Sequence, residues 1–146
     1  MEKPFKQNVA NLGEYFGAYL FSALDYTVTI TLGRAEGFDL ICVKDKKTVL
    51  INVKTRWRET SWPLSDKDEK KASKNFYYLF IQFIDFSKLP NYWIVPSEII
   101  SPMITKSHKN YLNTPNKKGG KHKDSTLRKV NMSEIEQYKN NILQTH

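Results

Sequence analysis

The sequence predicts an α/β fold, a mixed β-sheet flanked by helices, in a single domain spanning 1–146. Three observations predict it. Near the N-terminus Val9, Leu12, Phe16, Leu20 and Ala23 recur at three- and four-residue steps, as on the buried stripe of a helix. Short runs rich in β-branched residues follow at 25–31, 38–43 and 49–54. Phe76–Phe83 is then almost continuously apolar, the mark of a central strand covered on both faces.

Taken in order, Asn8–Leu24 reads as the first helix. Glu14 lies off its apolar stripe, on a face shared with Ala10, Gly17 and Ala18. Small residues there let the helix approach a sheet with Glu14 pointing inward. Asp25–Thr31 reads as a strand, and Gly33 and Gly37 bracket Arg34-Ala35-Glu36 as a turn. Phe38–Val43 and Val49–Lys54 form a hairpin by pattern, turning within Lys44–Thr48. Ser61–Lys74 is polar and charged, suited to mobility and to a short helix around Asp66–Ala72. Strands are expected at Phe76–Phe83 and Tyr92–Val95. Ser97 suits a helix N-cap, with Pro102 opposing a long helix. Asn113–Lys123 reads as a loop, and Ser133 with Glu136 as the capping box of a last helix to about Leu143. The order is thus helix, three strands, a variable polar segment, two strands and helical pieces.

A chain of 146 residues is long enough to bury a core, and 40% apolar content is ordinary for a globular protein. No apolar run approaches the roughly 20 residues of a membrane span. Met1-Glu2-Lys3-Pro4 does not open a secretory signal. Cys42 is the single cysteine and lies in the apolar phase of its strand, as a core thiol does. A cytoplasmic protein with no membrane partner is expected. The net charge is +8, and it is local: residues 106–129 hold eight Lys/Arg against one acid, a net +7. Such a basic loop is an electrostatic footprint for a polyanion. Charge alone admits RNA, DNA, an anionic membrane or solvent.

The informative chemistry lies in the hairpin. Asp39, Asn52 and Lys54 occupy apolar strands, where burying a carboxylate, an amide and an ammonium is costly unless they pair with one another, a metal or a substrate. Asn52 and Lys54, two apart, share one face. Asp39 joins them only if the connecting loop has an even residue count or a bulge shifts the phase. Oxygen ligands with a lysine on one sheet face suit metal-assisted phosphodiester hydrolysis. Lys54, Arg56 and Arg58 continue the alternation as a basic stripe. Trp57 and Trp62 beside it suit a core edge better than base stacking. His108, His122 and His146 lack metal-ligand spacing, and Gly119-Gly120 lacks the strand-to-helix context of a phosphate loop. No nucleophile elbow or paired-cysteine zinc motif is present.

Three segments together carry a family likeness: the helix with Gly13-Glu14, Gly37-Phe38-Asp39-Leu40-Ile41, and Ile51-Asn52-Val53-Lys54-Thr55. They resemble the PD-(D/E)XK nuclease superfamily, in particular its small single-domain bacterial and archaeal members, Holliday junction resolvases among them. Tyr92-Trp93-Ile94-Val95-Pro96-Ser97 resembles a strand-to-helix turn of the small bacterial members, and the likeness covers residues 8 to about 100. The resemblance implies a restriction-endonuclease-like core and Mg²⁺- or Mn²⁺-dependent endonucleolytic hydrolysis of DNA. It matches Asp39 to the first metal-binding aspartate, Lys54 to the lysine of the second motif, and Glu14 to an extra helix ligand. Asn52 stands where the family usually carries an acid. Its amide oxygen coordinates without charge, so metal affinity drops. Glu36 and Glu59 are the other carboxylates available. Arg56, Arg58, Lys117, Lys118, Lys121, Lys123 and Arg128 are then candidates for flanking phosphates, and a homodimer would let two sites cut two strands. Two rival readings stand beside this one. The first is an inactive nucleic-acid-binding or partner-binding module on the same fold. The second is a basic RNA-associated protein with Asp39 at an exposed sheet edge, far from Lys54.

Overall fold

The computed structural model describes residues 1–31 and 37–141. The expected turn at Arg34–Glu36, the carboxylate of Glu36, the end of the last helix and His146 lie outside the described residues. The elements run α1 (Lys6–Ala23), β1 (Thr27–Ile30), β2 (Leu40–Lys44), β3 (Lys47–Trp57), β4 (Ser61–Ser65), a 3₁₀ turn (Asp66–Lys70), β5 (Phe76–Phe83), β6 (Asn91–Pro96), α2 (Ser97–Asn113), β7 (Leu127–Asn131) and two 3₁₀ turns (Met132–Glu134, Glu136–Tyr138). Five strands form one mixed sheet in the order β1-β2-β3-β5-β6, and β4 and β7 form a second, two-stranded sheet. All pairs are antiparallel except β3 with β5.

The β2–β3 hairpin closes on the pair Lys44↔Lys47, which leaves Asp45 and Lys46 as a two-residue turn. Both have positive φ, 49° and 64°, as a turn matched to the twist of the strands requires. On one face of the sheet α1 covers Leu40, Ile51, Leu79 and Ile81. On the other, Tyr78, Phe80 and Val95 pack with Ile100 and Ile104 of α2 and with Trp62 and Val130 of the small sheet. Two covered faces explain why β5 reads as an unbroken apolar run.

The approach of α1 depends on glycine. A Cβ on Gly13 would lie 1.7 Å from Oγ1 of Thr55, and one on Gly17 would lie 2.9 Å from a methyl of Leu40. No side chain fits at Gly13 without moving helix or strand.

Several expectations are corrected. Ser61–Lys74 is not simply a polar excursion: it carries β4, whose Trp62 and Leu64 point into the core. β7 extends the chain beyond the expected loop to pair with it. Ser97 does not cap α2. Its hydroxyl instead accepts the Ser73 N–H (3.0 Å) and donates to the Ser73 carbonyl (2.9 Å). Pro102 does not stop α2, which runs on to Asn113, held to the core by Ile100, Ser101 and Ile104. Near the C-terminus the capping box is Asn131 with Glu134, not Ser133 with Glu136, and it starts a short 3₁₀ turn. Trp57 and Trp62 are core residues: Trp57 packs on Phe83 and Phe86, and Trp62 on Phe80 and Trp93, with its indole N–H on the Ile81 carbonyl. Neither presents a ring for stacking. Cys42 is fully buried, and burial pushes its thiol up to about 12.

Candidate functional site

The site grows from the register of the hairpin. Leu40 opposes Ile51 and Ile41 opposes Leu50, and Asp39 is the residue just before this paired register. Opposed residues share a face. The two-residue turn meets the parity condition for Asp39 to join Asn52 and Lys54, and the Lys54 charge acts on the Asp39 carboxyl. Asp39 is fixed there by two bonds to β3. Its backbone N–H donates to the Ile51 carbonyl (2.7 Å), and its Oδ2 accepts the Val53 N–H (2.7 Å). Asn52 is buried at 7% exposure and donates its amide N–H to the Gly37 carbonyl (3.2 Å). That bond turns the amide oxygen away from Gly37.

Electrostatics tie the three elements together. Burial raises the Asp39 carboxyl above its ordinary range, against the Val53 N–H and the charges of Lys54 and Lys71, which lower it. Glu14 on α1 is raised first by burial and then by the negative charge of Asp39. The helix carboxylate and the strand carboxylate therefore feel each other, and Asp39 feels Lys54. Asp39 is half-buried, not an exposed edge residue far from Lys54.

Two neighbours, Asp68 and Lys71, escaped the sequence reading. Asp68, on the turn after β4, is buried at 3% exposure. Its Oδ1 accepts the Tyr78 hydroxyl (2.7 Å) and its Oδ2 the Ser65 N–H (2.8 Å). Lys71 lies 3.5 Å from its Oδ1. Burial alone would raise the Asp68 carboxyl; those hydrogen bonds, with the charges of Lys54 and Lys71, outweigh it and hold the group below the usual range. Lys54 and Lys71 thus each act on both Asp39 and Asp68. The Ser65-x-x-Asp68 spacing was the available signal, since it marks a capped turn.

The donors of the cluster are all hard oxygens: the carboxylates of Glu14 and Asp39 and the amide oxygen of Asn52. Hard oxygens are the donor type that Mg²⁺ and Mn²⁺ take, and the Asp39 charge raises the proton affinity of Glu14. Among the described residues, no three His, Cys, Asp or Glu gather closely enough to hold an ion, so the set is short of one acid at Asn52. Glu59 does not supply it, being paired with Arg56 and lying 3.8 Å from Lys3.

The candidate phosphate-binding residues separate. Arg56 is on β3, paired with Glu59, and its Nε is buried without a hydrogen-bond partner. Arg58 leaves the strand with φ 63°, donates to the Ile84 carbonyl (2.8 Å) and lies over the Trp57 ring, so the basic stripe ends at Arg56. Arg128 is paired with Glu69, its side chain only 9% exposed. Lys117, Lys118, Lys121 and Lys123 are exposed on the loop between α2 and β7. That loop is shaped by Asn116, whose Oδ1 accepts the N–H groups of Lys118 and Gly120 (both 2.9 Å). His108 bonds Asp124 at 2.8 Å, and His122 stacks on Tyr111.

No protein-family model matches the chain, and no curated protein matches it in sequence. Among solved structures the chain is similar to a bacterial homing endonuclease, at 8% identity and a TM-score of 0.47, over 66% of this chain and 69% of that one. No helix among the described residues is long and apolar enough to cross a membrane.

Proposed function

We propose that the chain is a metal-dependent endonuclease that hydrolyses phosphodiester bonds in DNA, built on the PD-(D/E)XK plan. The observation that supports this reading is that the Asp39 carboxyl, bonded to the Val53 N–H, lies within electrostatic reach of both Glu14 on α1 and Lys54 on β3. Glu14, Asp39 and the amide oxygen of Asn52 would hold Mg²⁺ or Mn²⁺. When bound, the ion supplies polarisation of a phosphoryl oxygen and a lowered pKa for water. The remaining work falls to the chain. The Val53 N–H fixes the rotation of the Asp39 carboxylate, and Gly37 fixes that of the Asn52 amide. Lys54 orients the attacking water and balances the charge that grows on phosphorus in the transition state. The exposed lysines of the 117–123 loop hold flanking phosphates, a sequence-independent contribution that weakens with salt.

Nicking of supercoiled plasmid with Mg²⁺ or Mn²⁺ tests the reading. Wild type is expected to nick, and Asp39→Ala and Lys54→Ala to lose that activity. Cleavage that survives both substitutions removes these residues from the mechanism.

One observation favours a second reading. The Asn52 amide donates to a backbone carbonyl, a bond no ionised acid can make, and leaves the metal site one charge short. On that basis the fold is a DNA-binding module without catalysis. Calorimetry with Mn²⁺ separates the two: heat of binding supports the enzyme, whereas no metal uptake with DNA affinity indifferent to EDTA supports the module.

A further inference from the structure

We infer that the open groove beside Asp39 is a binding channel for the DNA backbone, with Lys67 and Lys71 as its phosphate ligands. This rests on the nuclease reading for its orientation, but on separate residues for its chemistry. The groove measures about 610 Å³ and is lined by Gly37, Phe38, Lys67, Lys71, Ser73 and Phe76, among others. Gly37 and Phe38 lead directly into Asp39, and the Gly37 carbonyl receives the Asn52 amide. The groove therefore lies beside the segment that leads into the candidate site.

Its lysine-bearing wall is held rigidly. The backbone carbonyl of Asp68 accepts the hydroxyl of Ser101 (2.7 Å), and Ser73 is clamped in both directions by the hydroxyl of Ser97. Ser97 and Ser101 are buried and one turn apart on α2. The Asp68 side chain is held from the sheet side by Tyr78. A segment of this polarity, fastened to a helix at two points and to the sheet at a third, presents its lysines at low entropic cost. Asp68 is the ion-pair partner of Lys71 among the described residues, its carboxylate turned inward onto Tyr78 and Ser65, and Asp39 also feels the Lys71 charge. The charge left along the groove is positive. The walls combine the apolar side chains of Phe38, Leu50 and Phe76 with two lysines, and the positive charge of Lys67 and Lys71 along an open groove complements a phosphodiester backbone.

The test is fluorescence anisotropy with duplex DNA in EDTA, over a range of salt, on wild type, Lys67→Gln/Lys71→Gln and Lys117→Gln/Lys118→Gln. The groove variant is expected to bind on the order of tenfold more weakly, with a salt slope smaller by about 1.8, the share of two phosphates. Lys71→Arg is expected to restore most of its part. Lys67→Gln alone, at an exposed position outside the Asp68 ion pair, is expected to lower the slope by about 0.9, and it keeps the test open if the double variant folds poorly. Affinity and slope equal to wild type in the groove variants overturn the inference, as does a wild-type chain that binds no duplex. Plasmid nicking separates the failures. Binding that depends on the groove without any cleavage refutes the nuclease and keeps the channel. Cleavage with unchanged groove variants refutes the channel and keeps the nuclease.

Discussion

The two faces of β3 are made by the same eleven residues and behave in opposite ways. Val49, Ile51, Val53 and Thr55 turn towards α1, where Gly13 and Gly17 let the helix settle against the strand. Leu50, Asn52, Lys54 and Arg56 take the other face, where Leu50 lines an open groove, Lys54 lies within electrostatic reach of Asp68 and Arg56 pairs with Glu59. One face is sealed by removing side chains from the helix. The other is kept open because each charge has a counter-charge near it. The difference teaches that a strand with period two can carry a core and a reaction centre at once, provided the covering elements are different in kind.

The contrast makes ordered demands. The largest effect is expected from Lys54→Ala, which should lower plasmid nicking by about 10²–10³ while leaving the melting temperature near wild type, because the residue belongs to the open face. Loss of folding instead would place Lys54 in the structural half of the strand. Gly13→Ala should do the reverse. Its Cβ collides with Thr55, so urea denaturation is expected to show about 1–3 kcal/mol of lost stability. Next comes Asn52→Asp, which adds the missing charge but forfeits the donation to Gly37. Mn²⁺ affinity by calorimetry should rise about tenfold, with about 1 kcal/mol lost from the metal-free protein. The smallest effect is that of Asp39→Asn. The folded state binds the Asp39 proton more tightly than the unfolded chain does, because the carboxyl is raised. The contribution of this group to stability is complete below the ordinary carboxylate range and is lost as pH rises through the folded pKa. The metal-free variant should therefore melt roughly 2 °C above wild type at neutral pH, with the gain gone near pH 4. A melting curve that shows the same gain at both pH values would disprove the electrostatic cause.

Much of the architecture was legible because it follows simple periods. The stripe from Val9 to Leu20 gave α1, and the hairpin followed from two alternating runs whose polar members were out of place. The meeting of Asp39 with Asn52 was legible only as a parity condition, since the turn type was needed to decide it. Lys46 at positive φ is not a residue that announces such a turn. β4 stayed hidden because it holds only two inward apolar residues, Trp62 and Leu64, around Pro63, and its partner β7 alternates among Leu127, Arg128, Lys129 and Val130 far along the chain. Local pattern does not report a pairing of that separation. Asp68 and Lys71 were missed for the same reason. Their segment looks like solvent-facing sequence, and its order comes from Ser97, Ser101 and Tyr78, which lie later in the chain.

The tight connection at Asp45–Lys46 also sets a rule for how this gene can change. Inserting or deleting one codon there, where it shifts the pairing by a single step, would turn the side chains of β2, the buried Leu40 and Cys42 among them, to the opposite face of the sheet. Gains or losses in twos would leave the alignment whole. Length variation at this tip should therefore be tolerated only in even numbers, by the core as much as by the chemistry.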